Sequence, residues 1–197
     1  MRVELRIVAG SLKGRKLRCS VTPKLRPTPQ MVREALFSIL GNAVPGRPFF
    51  DLFAGSGIVG LEALSRGAAS VTFVERDFRL SQAIEDELRE VHFADRGQVV
   101  RGEVYRWART WQAPPEPVTL FLSPPFIDFE RRLDEFFDLV GALKKKIADR
   151  SVLVLQSEKN ALESLPDRQD WDERQYGRNE LYFWVKGETV EAANDGA

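Results

Sequence analysis

The sequence predicts an α/β fold in which a parallel sheet is covered by helices on both faces. Three observations predict it. From residue 49 onward short apolar runs alternate with segments of helical periodicity. The first run ends in a glycine loop, Gly55-x-Gly57-x-x-Gly60, the pattern of a strand turning into a helix. The chain has 197 residues and 43% hydrophobic content, enough to bury a sizeable core in one globular unit.

The elements follow in order. Residues 3–17 alternate loosely around Gly10 and Gly14 and read as a hairpin or meander carrying Arg15 and Lys16. Thr28 is the expected cap of a helix that starts at Pro29 and stops at Gly41, with Val32, Ala35, Leu36, Ile39 and Leu40 on one face. A strand is expected over 49–53, a helix over 58–65 closed by Gly67, and a strand over 71–74, which together make one βαβ unit. Further units follow: a helix over about 80–91, a strand at Val99 and Val100, a helix over 104–110 and a strand over 118–122. One long helix over about 129–147 leads to a strand over 152–155. Tyr176-Gly177-Arg178-Asn179 reads as a hairpin turn, which makes the strand at 181–185 antiparallel.

Composition narrows the function classes. No apolar run approaches the roughly 20 residues of a membrane helix, and a cytoplasmic protein is expected. A single cysteine, Cys19, rules out an intrachain disulfide, and a single histidine, His92, argues against a histidine-rich metal site or a Ser-His pair; no metal is expected. Net charge is zero, yet residues 1–33 hold nine Lys or Arg against Glu4 alone, +8 locally, so the other 164 residues sum to −8. Such an arm suits phosphate contact, although a solvated basic hairpin has the same signature. The expected organisation is an arm over 1–27, a catalytic domain over 28–187 and a polar, frayed tail over 188–197.

The glycine loop with Glu75 after the next strand fits a nucleotide site, because a carboxylate there can accept from two ribose hydroxyls. Asp51 discriminates between cofactors. A diphosphate passing the turn would be repelled by it, whereas the amino group and sulfonium of S-adenosylmethionine would be attracted. The competing reading of Asp51 is a turn or helix-capping residue. Glu103 and Val104, after the third strand, suit the adenine amine and ring, but Glu103 equally suits a helix N-terminus.

Ser123-Pro124-Pro125-Phe126 follows an apolar strand, at the sheet edge where open α/β folds bind ligands. The prolines fix the backbone and leave carbonyls free to accept. An exocyclic base amine is a poor nucleophile; acceptors on its two N–H groups can rotate it and aim its lone pair. Ser123 and the Pro124 carbonyl are the candidate acceptors, and Phe126 can stack on the base.

With these residues in place the chain resembles the RsmD family, which methylates the guanine N2 amine in small-subunit (16S) ribosomal RNA. Arg6-Ile7-Val8-Ala9-Gly10 with Gly14-Arg15-Lys16-Leu17, and Arg26-Pro27-Thr28 with 32–37, carry the specific part. Asp51 to Gly57, Glu75-Arg76, Pro-Pro-Phe and Tyr176-Gly177-Arg178 complete it. The resemblance implies a Rossmann-like, seven-stranded methyltransferase sheet with an antiparallel last strand, preceded by a basic hairpin that meets rRNA. It departs at Ser123, where Asp or Asn is usual, and at Glu103, where Asp is usual. DNA amino-methylation at adenine N6 or cytosine N4 and a weakly active or non-catalytic assembly factor are the alternatives. The assigned cofactor residues are Asp51, Phe53, Gly55, Ser56, Gly57, Glu75, Arg76, Glu103 and Val104. Catalysis falls to Ser123, Pro124, Pro125 and Phe126, and phosphate contact to Arg6, Arg15, Lys16, Arg26 and Arg33.

Overall fold

A computed structural model describes residues 2–20 and 26–187. The tail expected over 188–197, Lys24, and the side chains of Arg2 and Arg18 lie outside what is described. A two-stranded hairpin, β1 (Arg2–Arg6) and β2 (Lys16–Ser20), precedes helix α1 (Gln30–Leu40). Then come β3 (Pro48–Leu52), α2 (Ile58–Ser65), β4 (Ser70–Glu75), α3 (Phe78–Glu90), β5 (Gly97–Arg101), α4 (Val104–Thr110) and β6 (Thr119–Leu122). Two helices, α5 (Phe126–Arg131) and α6 (Leu133–Lys146), lead to β7 (Val152–Glu158), β8 (Asp172–Tyr176) and β9 (Asn179–Val185).

The main sheet has seven strands in the order β5-β4-β3-β6-β7-β9-β8. Its first five strands are parallel and β9 is antiparallel to both neighbours. Alternate residues of β7 separate the two cores. Val152 and Val154 join a cluster with α1, α2 and α3, whereas Leu153 and Leu155 join one with α4 and α6. All eight residues of α2 are buried, because α1 and the hairpin cover the side turned away from the sheet.

The hairpin loop is welded to this body. Ser11 N–H donates to the Ser65 carbonyl, Leu12 N–H to the Ser65 hydroxyl, and that hydroxyl donates to the Ala9 carbonyl. Gly10, at φ +83°, leaves no room for a Cβ against the Ser65 backbone. Ile7 and Leu17 are buried in the core cluster.

Two expectations need correction, and one strand was not foreseen. Thr28 does not cap α1. Its hydroxyl donates instead to Gln156 Oε1 at 2.8 Å, and Pro29 stands at the cap position without a side-chain bond. The single helix expected over 129–147 is two helices broken at Arg132, φ −138°, whose guanidinium is held by Glu103 and Glu135. The eighth strand, Asp172–Tyr176, is polar and on the sheet edge, so it carries no apolar alternation to announce it.

Candidate active site

The carboxyl ends of β5, β4, β3 and β6 are consecutive in the sheet, and chain connections leave β3 toward β4 on one side and come to β6 on the other. This is the switch point at which open α/β sheets form a crevice. The last residues of these strands, the loops after them and the first turns of the helices that follow contain every cofactor and base residue expected from the sequence.

After β3 the chain turns sharply. Phe53 (φ +66°), Gly55 (φ +56°) and Gly57 (φ +72°) all adopt left-handed conformations, and Phe53 does so without glycine's freedom. Gly57 then stands at the N-cap of α2 with no side chain to offer the helix. Asp51 fills that role from the strand: its Oδ2 accepts the Gly60 N–H at 2.8 Å. The same Gly60 lets α2 approach the sheet, since a Cβ there would overlap the Phe73 ring. Asp51 is 2% exposed, and burial followed by the charge of Glu75 pushes its carboxyl up to about 7.

Glu75, closing β4, has both oxygens on main-chain donors. Oε2 accepts from Gly55 N at 2.7 Å and Oε1 from Asp77 N at 2.8 Å. The glycine loop and the acid of the neighbouring strand are thereby one unit. Asp77 caps α3, while Arg76 and Phe78 are exposed beside it. After β5, Glu103 sits at the N-cap of α4 and accepts from Arg132 at 2.6 Å, and Val104 is buried in the first turn.

Beyond β6, Ser123 N–H reaches the Leu52 carbonyl at 3.4 Å, so the Ser-Pro-Pro turn lies beside the end of β3. Pro124 is buried, Pro125 caps α5, and Phe126 and Ile127 project from the surface, 49% and 39% exposed.

Sequence reasoning missed a polar cluster beneath this turn. Asp128, 3% exposed, accepts from the Tyr105 hydroxyl at 2.9 Å. The Tyr105 ring meets Phe53 edge-on at 5.6 Å, and the Arg132 guanidinium lies 3.9 Å from its centroid. Burial and the Asp128 bond push the Tyr105 phenol well up, which keeps it a donor. The one available signal was an acid in the first turn of a helix begun by Pro-Pro.

The basic residues are only partly gathered. Arg6 and Lys16 are exposed on the hairpin beside Glu4, and Arg26 is exposed with Glu158 at the carboxyl end of β7. Arg15 is elsewhere: it bridges Glu87 and Glu90 in the last turn of α3, roughly 15 Å along that helix from the edge. Arg33 is corrected outright. It is 2% exposed, paired with the buried Glu62 at 3.1 Å, and donates to the carbonyls of Thr28 and Arg6 at 2.7 Å each. It brackets the base of the hairpin and is closed to phosphate.

Comparison with known proteins matches this architecture. The family model described as conserved hypothetical protein 95 matches residues 5–185. Ribosomal RNA small subunit methyltransferase D of Escherichia coli strain K12 is 36% identical over 166 residues, 83% of this chain and 80% of that protein. The chain belongs to the RsmD family. The solved yhhF structure from Escherichia coli, 32% identical, superposes with a TM-score of 0.74 over 93% of this chain and 98% of that one. An RNA methyltransferase from Salinibacter ruber, solved in complex with S-adenosyl-L-homocysteine, shares the fold at 19% identity, a TM-score of 0.57, 84% of this chain and 97% of its own. At the site this RsmD family chain has Ser123 before the prolines, with the Tyr105–Asp128 bond below.

Proposed function

We propose that this chain is an S-adenosylmethionine-dependent methyltransferase acting on the N2 amine of a guanine in small-subunit ribosomal RNA. The observation that carries it is the joining of two carboxylates, Asp51 and Glu75, and an amine-accepting Ser-Pro-Pro-Phe turn at one sheet edge. The family supplies the substrate class, since the Escherichia coli relative is named a small-subunit rRNA methyltransferase.

The donor set fits a cationic cofactor. Asp51 uses one oxygen on Gly60 N–H, and its other oxygen accepts no bond among the described residues. Buried beside the Glu75 charge, the Asp51 carboxylate is favoured by a neighbouring positive charge. Asp51 and the Gly55–Gly57 loop would hold the amino-acid end, Glu75 the ribose, and Glu103 and Val104 the adenine. When bound, S-adenosylmethionine supplies an electrophilic methyl group.

The chain's own contribution is positioning. Ser123 Oγ and the Pro124 carbonyl accept from the amine and turn its lone pair outward from the ring plane, while Phe126 stacks on the base. Because the N2 edge of a paired guanine is covered, the base must be unpaired or flipped. The protonated product amine is acidic enough to lose its proton to water, so no strong base is required of Ser123. Residues 1–27 serve as the RNA-contacting arm of a body spanning 28–187.

The test is transfer of a tritiated methyl group to immature small subunits, followed by nucleoside analysis. Label in N2-methylguanosine supports the proposal. Label in duplex DNA at adenine N6 or cytosine N4, or none in any subunit substrate, overturns it.

A further inference from the structure

The base-gripping turn has a built-in anchor that the chemistry above does not use. Tyr105, on α4, donates to Asp128, on α5, at 2.9 Å, and both are buried. Asp128 also donates its N–H to the Pro125 carbonyl at 2.8 Å, so it grips the turn from inside. Tyr105 is fixed on two other sides. Its ring lies edge-on against Phe53 of the left-handed loop after β3, and the Arg132 guanidinium covers it while bonding Glu103. One side chain thus touches the loop after β3 and the helix that carries Phe126, and is linked through Arg132 to the acid that opens α4.

We infer that the Tyr105–Asp128 hydrogen bond is a positioning pair that sets the Ser-Pro-Pro-Phe turn at a fixed distance from the cofactor loop. It rests on the methyl-transfer reading. The physical need for it is specific to this chain. A carboxylate at position 123 could accept both N–H groups of an amine and tolerate some play in the turn. A serine hydroxyl makes one neutral bond, so orientation must come from a turn that does not move. Pro125, at the N-cap of α5, offers no N–H, and α5 has no side-chain cap bond, leaving the helix start to be held by Asp128. Neither residue reaches the reacting atoms through the groups named here.

Three variants in the full chain test it. Tyr105→Phe removes only the hydroxyl; Asp128→Ala removes its acceptor; Asp128→Asn keeps an oxygen that can still accept. The expected result is a fall in kcat of roughly tenfold for Tyr105→Phe and Asp128→Ala, with cofactor Kd by calorimetry within about twofold of wild type. The double variant falls no further than the single ones, and Asp128→Asn recovers most of the activity that Asp128→Ala loses. Amide hydrogen exchange supplies a readout independent of turnover. The Ser123 and Asp128 amides exchange faster in Tyr105→Phe, while those of β3 and β4 are unchanged. Unaltered exchange at Ser123 and Asp128 overturns the anchor, and so does accelerated exchange with unaltered kcat. A wild-type chain that transfers no methyl group overturns the proposed function instead, and the exchange result still decides whether the pair holds the turn.

Discussion

The Asp51 carboxylate accepts a hydrogen bond from the Gly60 amide at 2.8 Å, so an acid near the end of β3 caps the helix that follows it. On the proposed function, capping and cofactor attraction would be two duties of one side chain, performed by different oxygens. Substitution can separate them. Asp51→Asn retains an oxygen for Gly60 and should keep its melting temperature close to wild type, whereas Asp51→Ala should lose about 1 kcal/mol of stability in urea titrations. Both should abolish cofactor binding by calorimetry. Unchanged affinity in Asp51→Asn would remove Asp51 from the cofactor site.

The same residue makes a pH prediction. Its carboxyl is raised from 3.8 to about 7, so the folded state holds the proton more tightly than the unfolded state. The stabilising contribution is complete below the unfolded value and is lost as pH rises through 7. A cationic cofactor prefers the ionised form, so its affinity moves the opposite way. It should strengthen by up to about tenfold per pH unit below 7 and level off above. Calorimetry of the wild-type chain across this range checks it, and an affinity that does not change below pH 7 would overturn it.

Arg33 and Arg26 are separated by seven positions and should behave as different classes. Arg33→Met leaves Glu62 buried with only Arg66 beside it and should cost about 3 kcal/mol in chemical denaturation. Arg26→Gln, at an exposed pair, should cost less than about 1 kcal/mol. On RNA the order reverses: Arg26→Gln should lower the salt dependence of binding by about one unit of slope. A filter-binding series in potassium chloride measures this.

Ser123→Ala removes one acceptor without disturbing the prolines. Loss of a neutral hydrogen bond predicts a fall in kcat of up to about tenfold with cofactor Kd unchanged. A wild-type rate in Ser123→Ala would assign the grip on the amine to the Pro124 carbonyl alone.

The fold was legible where periodicity and punctuation agree. The helix at Val104–Thr110 and the one at Ile58–Ser65 have the bounds their patterns predict, since each starts at a turn residue and ends where apolar spacing stops. The polar edge strand Asp172–Tyr176 has no such pattern. What escaped reading depends on partners distant in sequence. Thr28 turns from α1 because Gln156, 128 positions on, accepts its hydrogen bond. Arg33 looks like any surface cation until Glu62 is folded against it, and Arg132 breaks a helix whose apolar spacing runs on. At the site, residue types showed which groups gather at the sheet edge. They left capping as a competing reading of Asp51, which the Gly60 bond now shows, and could not show that Asp128 and Tyr105 meet beneath the prolines.

The fusion of the hairpin loop to Ser65, with Gly10 pressed on its backbone and Arg33 bracketing the hairpin's base, fixes a length. The arm cannot swing to follow a substrate. On the proposed function the protein would then work as a gauge for an RNA chain: phosphates seated on the hairpin would dictate how far along the strand the reachable nucleotide lies, and a guanine one step too near or too far would be refused by geometry, whatever letters surround it.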